Sequence, residues 1–177
     1  TEALEEVFKR YGEDIACVIV EPVAGNMGVV LPKPGFLEAI SGLTRRYGAL
    51  FICDEVITNF RLSKGGAQEV FNVEPDITCM GKILGGGMPL GAYGGRREIM
   101  EKVAPEGPIY QAGTLSGNPL SMVAGLATIR ELLSLDPYQE LERLTKKLTD
   151  GISKILSDKG IAHRINQIAS MFTVFFI

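Results

Sequence analysis

Two charged side chains follow buried strand-like runs and could act together on one ligand. Asp54 comes directly after residues 50–53 (LFIC), and Lys82 comes two residues after residues 76–80 (DITCM). In open α/β sheets, ligands bind beyond the carboxyl ends of the strands, so we expect both side chains at one edge of the sheet. A carboxylate there can hold a cationic group, and an amine can act as a nucleophile.

The surroundings of Lys82 set it apart from the other lysines. It lies in residues 79–87 (CMGKILGGG), which contain no other charge, whereas the other lysines lie beside charges, on helix surfaces or in loops. Desolvation disfavours an ammonium ion, and the neutral amine is the nucleophile that a Schiff base requires. Adjacent glycines allow a planar ligand to approach the backbone. We therefore predict a secluded, reactive Lys82, with a solvated loop lysine as the general alternative.

Two glycine-rich nucleotide-binding motifs are excluded by spacing. A P-loop requires a glycine five residues before Gly81 and a hydroxyl residue after the lysine, but the chain has Asp76 and Ile83 there. No GxGxxG pattern follows a strand, which excludes the dinucleotide fingerprint. An acid and a secluded amine at neighbouring strand ends are what pyridoxal phosphate (PLP) needs, to hold its aldehyde and to keep its ring nitrogen protonated. Asp54 could instead cap a helix or end a solvated strand, so spacing alone leaves both possibilities open.

The elements that must position these residues alternate between strand and helix. The predicted strands cover residues 15–20, 50–53, 76–80, 161–165 and 171–177. The predicted helices cover residues 35–47, 67–71, 119–135 and 138–156, with Asn118 as the N-cap of the third. We expect the first strand to be buried on both faces, and residues 81–95, with their seven glycines, to be mostly turns. The alternation predicts parallel pairing and an α/β layered fold.

Composition and charge argue against several classes of protein. The 177 residues are 46% hydrophobic and 22% charged, as in an ordinary soluble α/β protein. The formal charge of −3 is spread over interspersed acids and bases, so we expect no nucleic-acid or membrane partner. No apolar run approaches the roughly 20 residues of a membrane span. A small-molecule substrate or another subunit is the expected partner.

The cysteines are predicted to be buried free thiols. Cys17, Cys53 and Cys79 each lie among apolar residues, and no two of them form a CxxC pair. Because His163 is the single histidine, we expect no zinc site. Buried free thiols fit a reducing compartment, which predicts the cytoplasm, or a plastid in a plant or alga.

Four segments, in a fixed order, carry a family resemblance. They are residues 21–28 (EPVAGNMG), 54–56 (DEV), 81–92 (GKILGGGMPLGA) and 113–120 (GTLSGNPL). Together they closely resemble the class III, fold type I PLP aminotransferases, over nearly the whole chain. The resemblance implies an α/β large domain that binds PLP, with a mostly parallel sheet flanked by helices, over residues 1–135. Residues 136–177 would begin a small α/β domain, after the break at residues 135–137.

The resemblance implies roles for three residues at the predicted edge of the sheet. Lys82 matches the Schiff-base lysine of the family, which also transfers protons during the reaction. Asp54 matches the acid that pairs with the pyridinium nitrogen. Val56 lies two residues further along, on the same strand face, and matches the residue packed against the ring.

Three further residues take their roles from the resemblance. Asn26 matches a residue that forms a hydrogen bond with the 3-oxygen of the ring. Gly113 and Thr114 match a segment that reaches the cofactor phosphate of the neighbouring subunit. That role implies a homodimer.

Within the family, the sequence favours the aminomutase branch, which moves an amino group within one substrate through PLP and its pyridoxamine form. Ordinary members carry glutamine after Asp-Glu-Val, where this chain has Ile57, and tend to have glutamate where it has Asn26. Residues 93–97 (YGGRR) and 110–114 (YQAGT) are also similar to that branch. An ω-aminotransferase with a separate amino acceptor remains the first alternative. A non-catalytic PLP-fold protein that binds a partner or forms a dimer is the second.

Both ends of the sequence are predicted to lie inside a longer chain. Residues 1–7 lead directly into a helical pattern without an initial Met, and residues 171–177 form an apolar run with no polar ending. In the family that the motifs resemble, a second phosphate-binding loop and a gating loop precede the matched part. We therefore expect this chain alone to retain PLP weakly, to show no turnover and to aggregate.

Overall fold

The first of two sheets contains four strands in the order of the chain. The computed structural model describes residues 1–177. Strands β1 (Cys17–Val20), β2 (Leu50–Asp54) and β3 (Ile77–Met80) pair in parallel, and β4 (Ala92–Gly95) pairs antiparallel with β3. The sheet is therefore mostly parallel, which confirms the predicted pairing.

Six helices accompany the strands. They are α1 (Glu2–Tyr11), α2 (Phe36–Tyr47), α3 (Gly66–Phe71), α4 (Arg97–Met100), α5 (Pro119–Leu135) and α6 (Tyr138–Asp158). On α2, Leu37 and Ile40 are spaced to lie on one side of the helix, and both are buried with Phe51 of β2. This packing of a helix on the sheet forms one of the two cores of the molecule and confirms the α/β class.

Strand β1 is not buried on both faces, contrary to the prediction. Val18 and Val20 pack against the core that α2 covers, but Cys17 is exposed and Ile19 is 60% exposed. Successive side chains of a strand point to opposite faces, and no layer of this chain covers the second face. The prediction of buried thiols is therefore wrong for Cys17. Cys53 is buried, and Cys79 is half-buried.

The glycine-rich residues 81–95 contain more regular structure than predicted. A short 3-10 helix covers Lys82–Gly85, and β4 (Ala92–Gly95) follows it. A Cβ on Gly95 would lie only 2.1 Å from the carbonyl oxygen of Asp76, so glycine permits the close approach of β4 to the chain before β3. The glycines of this segment indicated turns, but one of them serves strand pairing.

The second sheet is a hairpin of β5 (His163–Ile168) and β6 (Met171–Phe176), and it follows α5 and α6. The side chain of Asn118 accepts hydrogen bonds from the backbone N–H groups of the first turn of α5, as predicted. Asp136, with φ 45°, separates α5 from α6 at the predicted break. That this break divides two domains stays a prediction.

The hairpin shares a core with the first sheet's loops. That core contains five buried residues, Val23, Val29, Leu62, Ala67 and Met171. Met171 begins β6, so the tip of the hairpin packs on the loop after β1 and on the segment after β2. An ion pair of 2.9 Å between Lys64 and Asp136 joins the segment after β2 to the break between α5 and α6. None of the helices is both long enough and apolar enough to span a bilayer.

Candidate active site

Asp54 ends β2 at the carboxyl edge of the parallel strands. Its side chain is half-buried, and Oδ1 accepts a hydrogen bond of 3.0 Å from the N–H of Val56. Asp54 is the register partner of Cys79 on β3, so the two side chains share one face of the sheet. Oδ2 accepts no hydrogen bond from this chain. One carboxylate oxygen is therefore left for a ligand at this edge.

Glu55 has a structural role that was not predicted from the sequence. Its side chain is 0% exposed, and its carboxylate accepts from Thr58 Oγ1 at 2.9 Å. It also accepts from the backbone N–H groups of Ala67 and Gln68 at 2.5 and 3.0 Å. Glu55 thus ties the end of β2 to the start of α3 and fixes the chain that follows Asp54. The sequence signal for this role was the position of Glu55, directly after Asp54 and before an apolar residue.

The segment after β2 lies against the segment after β3. The N–H of Glu55 donates to the carbonyl of Cys79 at 2.9 Å, which extends the pairing of the two strands by one step. A Cβ on Gly81 would lie 3.3 Å from Cγ1 of Val56. The structure therefore brings Val56 and Asp54 beside the backbone that leads into Lys82.

Lys82 is exposed, so the prediction of a secluded lysine is wrong for this chain. It begins the 3-10 helix with φ 49°, a left-handed conformation that is uncommon outside glycine. The apolar residues that follow it pack on α5, where a Cβ on Gly125 would lie 2.4 Å from the carbonyl oxygen of Leu84. The lack of charge around Lys82 reflects this packing of its neighbours, while the lysine itself is exposed.

Asn26 lies in a tight turn next to the segment that follows Asp54. Its side chain is exposed and forms no hydrogen bond within the chain. The N–H of Gly25 donates to Oε2 of Glu21 at 3.1 Å, and a Cβ on Gly25 would lie 2.9 Å from Cδ1 of Ile57. Ile57 therefore links the turn that carries Asn26 to the segment that carries Val56.

Gly113 and Thr114 lie elsewhere, in an exposed loop before α5. Gly113 lines a groove of about 910 Å³, with an apolar lining that includes Leu84, Leu90, Leu115 and Met122. Neither Asp54 nor Lys82 lines this groove. The structure thus brings Asp54, Val56, Asn26 and the backbone before Lys82 to one part of the molecule, and it leaves the 113–114 loop apart.

Burial and negative charge keep the two thiols of this region protonated. Burial raises the pKa of Cys79, and the carboxylate of Asp54 raises it further. Burial also raises the pKa of Cys53 well above its usual range, with added contributions from Glu55 and Asp54. These thiols are weak nucleophiles, so the lysine amine is the nucleophile that this edge offers.

The comparisons with known proteins decide the family. The sequence profile of a family described as "Aminotransferase class-III" matches residues 1–176. The chain belongs to the class-III aminotransferases. The family resemblance of the four sequence motifs is thereby confirmed.

Similar class-III relatives include two bacterial enzymes named glutamate-1-semialdehyde 2,1-aminomutase. The protein from Aquifex aeolicus is 65% identical over 175 residues, which cover 99% of this chain and 41% of the relative. The protein from Sulfurihydrogenibium azorense is 58% identical, with the same coverage. The chain thus spans about two fifths of the length of the curated relatives it matches.

Solved structures of similar proteins have the same fold. An ω-transaminase from Sphaerobacter thermophilus matches with a TM-score of 0.91 and 35% identity, over 98% of this chain and 40% of that one. A glutamate-1-semialdehyde aminomutase variant from Pseudomonas aeruginosa, in complex with PMP, matches with a TM-score of 0.85 and 29% identity. That match covers 99% of this chain and 40% of the other. The predicted PLP-transferase fold is confirmed.

Proposed function

We propose that the whole protein uses PLP to convert glutamate-1-semialdehyde to 5-aminolevulinate, an intramolecular amino transfer of tetrapyrrole biosynthesis. The proposal rests on the position of Asp54 and Lys82 after neighbouring parallel strands, with Val56 packed beside Gly81. The aminomutases that are 65% and 58% identical to the chain supply the choice of substrate. The proposal concerns the whole protein, because the chain spans 41% of each relative.

The groups at this edge of the sheet fit PLP. Since the N–H of Val56 occupies Oδ1 of Asp54 at 3.0 Å, Oδ2 is left to accept from a protonated ring nitrogen. Lys82 supplies a primary amine, the group that holds the cofactor aldehyde. When bound, PLP supplies an electron sink for the bonds around an amino-bearing carbon.

Each of four side chains has its own task in the proposed reaction. Asp54 keeps the ring nitrogen protonated, and Val56 packs against the ring. Asn26 donates a hydrogen bond to the 3-oxygen of the ring. Lys82 Nζ would move a proton between a substrate carbon and the cofactor in each half-reaction, as a general base and then a general acid.

The packing of Ile57 favours an aminomutase over an ordinary transaminase. The family resemblance implies that ordinary transaminases have a glutamine at the position of Ile57, and that this glutamine contacts the ring oxygen. The apolar side chain of Ile57 instead packs against the turn of Asn26, since a Cβ on Gly25 would lie 2.9 Å from it. Isoleucine has no polar atom for the ring oxygen, whereas the exposed amide of Asn26 can donate to it.

An ω-transaminase with a separate amino acceptor is the second candidate. The solved ω-transaminase with a TM-score of 0.91 and 35% identity supports it. The two candidates share the fold and the residues at the edge of the sheet. They differ in nitrogen balance, because a transaminase leaves nitrogen on the cofactor after one half-reaction and an aminomutase returns it to the same carbon skeleton.

The proposal includes a homodimer in which Thr114 and the backbone of Gly113 reach the cofactor phosphate of the neighbouring subunit. Residues 111–117 are exposed, so their polar groups are accessible to another subunit. Several apolar side chains of the adjacent helix α5 are also exposed, among them Leu120, Met122 and Val123. Exposed apolar surface of this kind is typical of an interface between subunits.

Nitrogen balance provides the experiment that tests the proposed function. The whole protein is loaded with the pyridoxamine form of the cofactor and given glutamate-1-semialdehyde without any 2-oxo acid. We expect 5-aminolevulinate to form over many turnovers. If the reaction stops after one equivalent of substrate per site, with the cofactor left in its aldehyde form, and resumes only when an amino donor is added, the transaminase is correct and the aminomutase is wrong.

A further inference from the structure

The turn at residues 25–28 has a strained backbone that needs support. Gly28 has φ 103°, and the buried Val29 that follows it has φ 55°. A β-branched residue in the left-handed region is an outlier, and such a conformation persists only where the surrounding structure holds it in place. The two residues are tied back to the carbonyl of Gly25 by hydrogen bonds of 3.1 and 3.2 Å. Asn26 lies inside this loop, so its direction depends on whatever stabilises the turn.

The hairpin supplies much of that support. Asn166 on β5 donates from Nδ2 to the carbonyl of Gly28 at 2.9 Å. The ring of Phe175 on β6 lies where a side chain of Gly28 would be, with Cζ 2.1 Å from an ideal Cβ. Met171 also packs with Val29 in one core. Three residues of the hairpin therefore contact the turn and hold it in place.

We propose that Asn166 is a positioning residue for Asn26, and that through it the hairpin sets how the proposed site holds the cofactor ring. This proposal rests on the role proposed for Asn26 at the ring's 3-oxygen. Asn166 contacts the turn and not the ring, so it acts through the Gly28 carbonyl. Its loss lets Gly28 and Val29 relax towards ordinary dihedral angles, which turns Asn26 away from the direction in which it donates.

The next residue on the hairpin provides a matched control. Gln167 accepts a hydrogen bond of 2.7 Å from Thr149 Oγ1 on α6, so its side chain lies on the opposite face of β5 from Asn166. Asn166→Ala and Gln167→Ala each remove one side-chain hydrogen bond from the same strand. Only Asn166→Ala removes a contact with the turn.

The first measurement is made on the whole protein without cofactor. Hydrogen exchange of the Gly28 and Val29 amides reports how often the turn opens. We expect Asn166→Ala to speed this exchange several-fold, and Gln167→Ala to leave it unchanged. If the alanine variant folds poorly, Asn166→Asp replaces it in the measurement. This variant keeps the shape of the side chain but lacks the Nδ2 donor, so we expect the same faster exchange. Equal exchange rates of the Gly28 and Val29 amides in the variants at Asn166 and at Gln167 would overturn the proposal.

The second measurement follows the pH dependence of the visible absorption of the bound cofactor. Asn26→Ala and Asn166→Ala should each move the midpoint in the same direction, by about half a pH unit for one hydrogen bond. In the double variant, Asn166→Ala should add nothing to Asn26→Ala, since it acts through that residue. Additive shifts would contradict the positioning role. If Asn26→Ala itself caused no shift, the role proposed for Asn26 would fail, and the inference built on it would fail too.

Discussion

The chain holds the edge of the sheet after β2 and β3 much more firmly than the loop before α5. At the edge, the buried carboxylate of Glu55 accepts three hydrogen bonds, and its N–H continues the pairing of β2 with β3. In the loop, residues 111–117 are all exposed. Two backbone hydrogen bonds, from Ser116 to Gly113 at 2.9 Å and from Asn118 to Leu115 at 3.1 Å, are all that tie its turns.

This difference matches the roles that the two regions would have in the proposed dimer. Asp54 and Val56 would act in the site of their own subunit, and the packing of that subunit fixes them. Thr114 would act in the neighbouring site, and its own subunit leaves it exposed. Asp54 and Val56 thus differ from Thr114 in how much support their own subunit gives them.

The largest expected effect comes from removing the carboxylate that holds the edge. Glu55→Ala would leave a hydroxyl and two backbone N–H groups of α3 without their acceptor in the interior. We expect a loss of about 3 to 5 kcal/mol in the free energy of unfolding, measured by urea denaturation of the whole protein without cofactor.

Glu69→Ala is the matched control for Glu55→Ala. Glu69 lies on α3, the helix whose first N–H groups Glu55 accepts from. It accepts a hydrogen bond of 3.0 Å from the N–H of Gly65, but it is exposed. Its replacement should cost less than about 1 kcal/mol. Similar losses for both variants would mean that Glu55 does not hold the edge of the sheet.

A smaller effect is expected from a change at Thr114 in the exposed loop, and mixed subunits test which site that residue serves. Thr114→Val should leave the unfolding free energy nearly unchanged and weaken cofactor retention about tenfold in the assembled protein. In a hybrid of Lys82→Ala and Thr114→Val subunits, one site would have both Lys82 and the neighbour's Thr114. That hybrid should therefore recover one ordinary site per dimer. Recovery would not occur if Thr114 acted in its own subunit.

The smallest expected effect concerns the thiol beside Asp54. Burial and Asp54 both raise the pKa of Cys79, so little thiolate is present and alkylation at about pH 8.5 should be slow. Asp54→Asn removes the smaller of the two causes, which lowers the pKa and should speed alkylation of Cys79 about threefold. The rate at Cys17 is the internal control. An unchanged alkylation rate at Cys79 would contradict the placement of the Asp54 and Cys79 side chains on one face of the sheet.

The parallel sheet and the place of Asp54 could be predicted from the sequence because both depend on local patterns. Continuous apolar runs predicted β2 and β3, and an acid directly after β2 had to lie at its carboxyl end. Strand β4 was missed, because a glycine-rich segment indicates turns unless its partner is known. The exposed face of β1 was missed for a related reason: an apolar run does not reveal whether another layer covers it.

Contacts between distant residues could not be predicted. Asn166 bonds to Gly28 across 138 positions of sequence, and neither residue has a pattern that indicates the other. The seclusion of Lys82 was predicted from its uncharged neighbours, yet those neighbours pack on α5 and leave the lysine exposed. Composition around a residue reports what its neighbours bury, and it does not report where the residue itself points.

The most direct test of the proposed site is to find which lysine holds the cofactor. The whole protein is loaded with PLP, treated with borohydride to make the link between the amine and the aldehyde permanent, and digested for peptide mapping. We predict that the cofactor is found on Lys82, and that Lys82→Ala folds normally but retains no cofactor after reduction. Attachment at a different lysine, or unchanged attachment in Lys82→Ala, would contradict the account.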